Sequence, residues 1–166
     1  MTRNERTEYI DKVVVIGYSW LSEENYQCPL TIYNLLTQLD LNKKEKERVE
    51  GLKSDTLAVC KNKEILKNIP EIKIPTPCQT QEDKLLWIII TTIMNLFNSG
   101  NFEMGYMFLM EFADSWRDVY INVIPLLRGC DFKEEIIDWA MTHFFFAQDI
   151  TGKDEFNRLG YKIVKD

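Results

Sequence analysis

The sequence predicts an all-α domain, and three observations carry that prediction. Leu85, Leu86, Trp87, Ile88, Ile89, Ile90, Ile93, Met94, Leu96 and Phe97 leave no polar face on the stretch that opens at Lys84. A helix apolar on all sides must be enclosed by other elements or by lipid. After a break at Asn98-Ser99-Gly100-Asn101, the segment from Met104 to Trp116 is nearly as apolar. Each run is shorter than the roughly 20 residues that a bilayer crossing needs. The third observation is that the strand-like run Val13–Ile16 has no partner of similar quality downstream. The architecture expected is a bundle of about seven or eight helices around a buried central helical hairpin, in a single domain of residues 1–166.

Taken in order, residues 8–22 fit either a buried strand entering a turn at Gly17 or a helix. The helical face would carry Ile10, Val13, Val14, Gly17, Tyr18 and Leu21, and the missing strand partner selects the helix. Leu21 stands where a nucleophile elbow beginning at Gly17 would need its second glycine. Residues 23–30 read as a connection, and 31–41 as a short amphipathic helix with Ile32, Leu35, Leu36 and Leu39 on one side. The stretch 42–55 interleaves Glu and Lys, the pattern of a solvated helix or loop. Thr56 to Asn68 carries a weak apolar stripe of Leu57, Val59, Ile65 and Leu66. Three prolines in 69–83 exclude a helix and make a connection, after which Thr80 with Asp83 is a capping-box-like start for the central helix. Further on, 134–150 reads as a helix with Ile136, Ile137, Ala140, Met141, Phe144 and Phe145 inward. A last short helix ends at Gly160.

Composition bounds the function. A chain of this length buries roughly 70% of its unfolded surface. Hydrophobic residues make up 45% of it, with seven Gly and five Pro, so disorder is confined to short connections. The net charge of −6 argues against a nucleic-acid partner, which calls for a basic surface. Cys28, Cys60, Cys78 and Cys130 form no Cys-x-x-Cys pair, and the single His143 completes no ordinary zinc site. Scattered thiols and a polar N-terminus without a signal peptide point to a cytoplasmic protein. His143, beside Phe144, Phe145 and Phe146, reads as a packed or surface histidine rather than a general base. No glycine-rich phosphate loop occurs. Neither catalysis nor a cofactor is expected.

The ordered landmarks resemble those of the Bcl-2 family of apoptosis regulators. LFNSG (96–100), followed by an apolar run ending at Glu111-Phe112-Ala113, is similar to the family's first homology motif. FAQDITGKDEFNRL (146–159) is similar to the second, keeping Phe146, Gln148, Asp149, Gly152, Asp154, Phe156 and Leu159. YSWLSEENYQ (18–27) resembles the end of the fourth, and Trp139 falls in a tryptophan-centred stretch of the family's sixth helix. The first motif departs from the family form. In either register, Tyr106 or Gly105 stands where the family carries the arginine that pairs with a ligand aspartate. RVEGLKSD (48–55) is the best candidate for a third motif and lacks its preceding leucine. No C-terminal anchor resembling the family's follows Asp166, so such a tail is either lacking or removed.

The resemblance implies a bundle of that fold with a hydrophobic groove that sequesters BH3 helices of pro-death partners, as a pro-survival regulator. An amphipathic helix in such a groove anchors every three or four residues. One wall and floor would use Asn95, Leu96, Met104, Gly105, Tyr106, Leu109 and Phe112. Val49, Leu52, Leu57 and Val59 would supply the other wall. Leu96 and Phe112 read equally as core or as groove floor. Without the arginine, one charge-assisted bond of about 1.5–3 kcal/mol is lost, and the ligand range narrows. The implied location is cytoplasmic or at the mitochondrial outer membrane, the latter through a tail. A homodimer is compatible with the family pattern. Two alternatives stay open: an immunomodulator acting on inflammatory signalling through surface contacts, as in viral relatives of the fold, and a pro-death pore former.

Overall fold

The computed structural model describes residues 1–76 and 78–112, and these are all-α, with no strand among them. Six helices follow in order: α1 (Arg3–Ser22), α2 (Gln27–Leu36), α3 (Lys43–Val59), α4 (Lys63–Leu66), α5 (Gln81–Asn98) and α6 (Phe102–Phe112). The expected helix at 134–150, the short helix before Gly160, His143, Cys130 and the motif at 146–159 lie outside the described residues. The chain falls into two units, Met1–Thr92 and Ile93–Asp166.

In the first unit, α1, α2 and α3 each pack against the other two. Val13–Ile16 is helical: Ile10, Val13, Val14, Ile16, Gly17 and Trp20 are buried on α1. The face expected to carry Tyr18 and Leu21 is thus rotated toward Ile16 and Trp20, leaving those two half-buried. At Gly17 a side chain of α3 comes close. A Cβ built there would lie 2.7 Å from Leu52 Cδ2, so the missing side chain makes room for Leu52.

Both long N-termini carry reciprocal caps. Thr2 Oγ1 accepts from the Glu5 amide at 3.2 Å, and Glu5 accepts back from the Thr2 amide. Asn42 and Glu45 do the same at 2.8 and 2.9 Å, each exchange satisfying two amides that no helical turn reaches. Glu45 is only 2% exposed. Its other oxygen, Oε2, accepts from Thr7 Oγ1 at 3.0 Å, and Arg6 stands 3.7 Å from Oε1 as an ion pair. One carboxylate thereby starts α3 and fastens it to α1. Charge alternation along 42–55 suggested an element washed by solvent on all sides. In fact α3 buries Glu45, Val49, Leu52 and Thr56 as one stripe, and its lysines occupy the other faces.

Helix α1 ends in a Schellman turn: Asn25 N donates to Trp20 O and Glu24 N to Leu21 O, both at 3.0 Å. Glu24 takes the left-handed position, with φ 61°. The connection at 23–30 is shorter than the sequence suggests. Asn25 Oδ1 accepts from the Cys28 amide at 2.9 Å, and α2 starts at Gln27 with Pro29 in its first turn, where a missing amide costs no helical bond. It ends at Leu36, before the predicted 41, although Leu39 is buried beyond it.

The proline-rich connection is exposed along most of its length and is also clasped. Gln38 Nε2 donates to Ile72 O at 2.8 Å while Gln38 Oε1 accepts from Ile74 N at 3.1 Å. These two bonds flank Lys73 in the way a neighbouring parallel strand would. Nearby, Asp40 N donates to Gln81 Oε1 at 2.8 Å. Thr80 Oγ1 accepts from the Asp83 amide at 3.0 Å, the predicted cap of α5.

Along α5 burial covers most of the circumference, with Leu86 and Thr91 half-buried and Asn95 exposed. Leu85, Trp87, Ile88, Ile89, Ile90, Thr92, Ile93, Met94 and Leu96 are all buried, as a helix without a polar face requires. Its end is another Schellman turn, with Asn101 N donating to Leu96 O at 2.9 Å and Gly100 at φ 83°. Asn101 O then accepts from Gly105 N at 2.9 Å to open α6. Among the described side chains of α6, Phe108, 3% exposed, and Leu109 are the buried apolar ones.

Candidate functional site

The residues expected to line a groove divide between the two units. Val49, Leu52, Leu57 and Val59 belong to the first. Val49 and Leu52 have no exposed surface, and Leu52 is turned onto Gly17 of α1, so both act as core of the three-helix pack. Leu57 and Val59, 43% and 49% exposed, lie off the buried stripe at the end of α3. Val59 borders a surface concavity of about 680 Å3 with Tyr18, Leu21, Ser22, Glu24, Tyr26, Lys61 and Asn62.

That concavity includes a stiff polar edge. The Tyr18 hydroxyl donates to Asp55 at 2.5 Å. Desolvation first, then the hydrogen bond and negative charge of Asp55, push the Tyr18 phenol up to about 12, against a smaller opposing pull from Arg48. Arg48 itself pairs with Asp11 at 3.1 Å. Tyr33 of α2 donates to Glu50 of α3 at 2.9 Å, and its phenol is raised by desolvation and by that partner. Both phenols are therefore donors at neutral pH.

The second unit holds Asn95, Leu96, Met104, Gly105, Tyr106, Leu109 and Phe112. Asn95 is exposed, Leu96 is 1% exposed, Met104 and Phe112 are half-buried, and Gly105 and Leu109 are buried. Tyr106 lies within α6. Leu96 therefore acts as core, and Met104 lines a cavity, as Val59 does in the first unit. It borders a concavity of about 410 Å3 at the joint of α5 and α6, with Gly100, Asn101, Glu103 and Met107.

Met107 is a site residue that the apolarity of 104–116 hid. It is 51% exposed, the most exposed large apolar side chain described. Its signal is spacing: Glu103 and Glu111 stand one turn before and one turn after it, which marks a solvent-facing row.

Chemically the two concavities offer apolar contact, the phenols of Tyr18 and Tyr26, and charged groups at Glu24, Lys61 and Glu103. Among the described residues no group of three His, Cys, Asp or Glu side chains is arranged to hold a metal ion. No helix among them is long and apolar enough to cross a membrane. No family model, curated protein or solved structure matches the chain.

Proposed function

We propose that the chain is a Bcl-2-like regulator of cell death, of the pro-survival kind, which sequesters BH3 helices of pro-death partners. The observation that carries this reading is the pair α5–α6. A helix buried over most of its circumference, turned by Gly100 into a second helix with apolar burial at Phe108 and Leu109, fits the central hairpin of that fold. It also coincides with the segment LFNSG that resembles the first homology motif. The concavity beside Met104 and Met107 is the surface on which an apolar anchor of a bound helix would sit.

Calorimetric titration with a panel of BH3 peptides tests the proposal. Micromolar or tighter binding of at least one peptide is expected, weakened by Met104→Glu. Met104 is half-buried, so a carboxylate there reaches water, whereas one at buried Leu109 would act through stability instead. No binding by any peptide would overturn the reading.

A second reading draws on Val49 and Leu52. With no exposed surface, they offer a ligand nothing unless α3 moves. That favours the alternative in which the fold blocks inflammatory signalling through surface contacts without a working groove. In that case the peptides fail and a signalling adaptor binds instead. The pore-forming alternative has no observation of its own in its favour.

A further inference from the structure

Glu103, Met107 and Glu111 are all exposed. They recur at four-residue intervals, which stacks them along one side of α6. Met107 and Met104 border the concavity at the α5–α6 joint, and Glu103 is the charged group on its described lining. A Cβ added at Gly100 would meet nothing within 4 Å, so the space extends over the turn. Two thioethers make an adaptable apolar surface, suited to seating side chains of different shape. The adjacent carboxylate sets a sign. An acidic ligand residue one turn from the seated anchor would face like charge, and a basic one would face its complement.

Resting on the helix-capture reading above, we infer that this face takes an amphipathic helix of a partner protein. The helix seats an apolar anchor against Met104 and Met107 and presents lysine or arginine, not an acid, to Glu103. The chain's net charge of −6 draws a basic ligand toward the same surface over longer range. The discrimination is electrostatic at an exposed site, so it is modest in size and sensitive to salt.

Three fluorescent helical peptides test this. They share their apolar anchors and differ only in the residue one turn from the central anchor: Asp, Asn or Lys. Anisotropy titration should rank them Lys tightest and Asp weakest, with roughly a five- to tenfold spread at low salt. Half-molar salt should compress that spread. Glu103→Lys, with its far-UV circular dichroism unchanged, should reverse the ranking. Equal affinities, Asp binding tightest, or a ranking indifferent to Glu103→Lys would overturn the charge preference and leave helix capture standing. Failure of all three peptides to bind at micromolar concentration would overturn both.

Discussion

Replacing Glu45 by alanine removes four things at once: the return arm of the α3 cap to Asn42, the acceptor for Thr7, the ion-pair partner of Arg6, and the packed side chain itself. Hydrogen bonds to a charged group are worth about 1.5–3 kcal/mol each, and losing a helix cap costs about 1 kcal/mol. Those values do not add in full. Thr7 Oγ1 also lies 3.2 Å from Arg3 O, and Arg6 keeps its bond to Asp40 O. Asn42 is exposed, so water reaches its amide. A net loss of about 2–3 kcal/mol is expected for Glu45→Ala. Glu45→Gln keeps an oxygen for Asn42 and lets Thr7 turn its proton to Arg3, so only the pairing with half-buried Arg6 is lost, about 0.5–1 kcal/mol. Urea unfolding followed by circular dichroism reads the difference. With a slope of about 2 kcal/mol/M, the alanine midpoint should fall by roughly 1–1.5 M and the glutamine midpoint by less than about 0.5 M. Equal losses for the two variants, or an alanine loss under about 1 kcal/mol, would refute the claim that bond geometry at Glu45 ties α3 to α1.

Three further outcomes are expected. Ionisation of Tyr18, followed by ultraviolet absorbance, should be centred near 12. Asp55→Asn should lower it while leaving it above the ordinary phenol range, because desolvation is the larger cause. Since the folded-state value is the raised one, the stability linked to Tyr18 is fully present below pH 10 and is lost as pH rises through about 12; Tyr18→Phe should flatten that alkaline decline. The two Schellman turns should respond in opposite directions in thermal melts. Glu24→Gly relieves a side chain at φ 61° and should stabilise by about 0.5 kcal/mol, while Gly100→Ala at φ 83° should destabilise by about 1 kcal/mol. Gly17→Ala should not show the gain of about 1 kcal/mol usual inside a helix, because its Cβ meets Leu52; pairing it with Leu52→Val should restore the gain, and a full gain without that partner would refute the close approach.

The helices were most legible where composition left a single physical option. A run from Leu85 to Leu96 with no polar face had to be enclosed, and Thr80 three residues before Asp83 marked its start. The strand-like Val13–Ile16 tract yielded to the same reasoning, since a strand without a partner leaves its amides unsatisfied. What stayed hidden depended on long-range partners. Gln38 is an unremarkable polar residue until Ile72 and Ile74 arrive from 34 and 36 positions away. Glu45 sat within a charged run that spoke for solvent, and only its bonds to Asn42 and Thr7 explain its burial. The groove residues were read from a resemblance, which carries no account of local packing. Val49 and Leu52 turned inward because α3 closes on α1 at Gly17, and Met107 turned outward because two glutamates hold its row to water.

The Gln38 clasp sets how the segment around Ile72 can come loose. A ladder of backbone bonds resists peeling collectively, but here one side-chain amide, on a rotatable stem, makes both connections. Turning a single torsion frees the peptide groups on either side of Lys73 together, and the helices lose only the side-chain bond from Gln38 to Asn34 O of α2. The segment is therefore a latch with one pin, and a protease or an exchanging solvent proton would find Ile74 well before it found the helices.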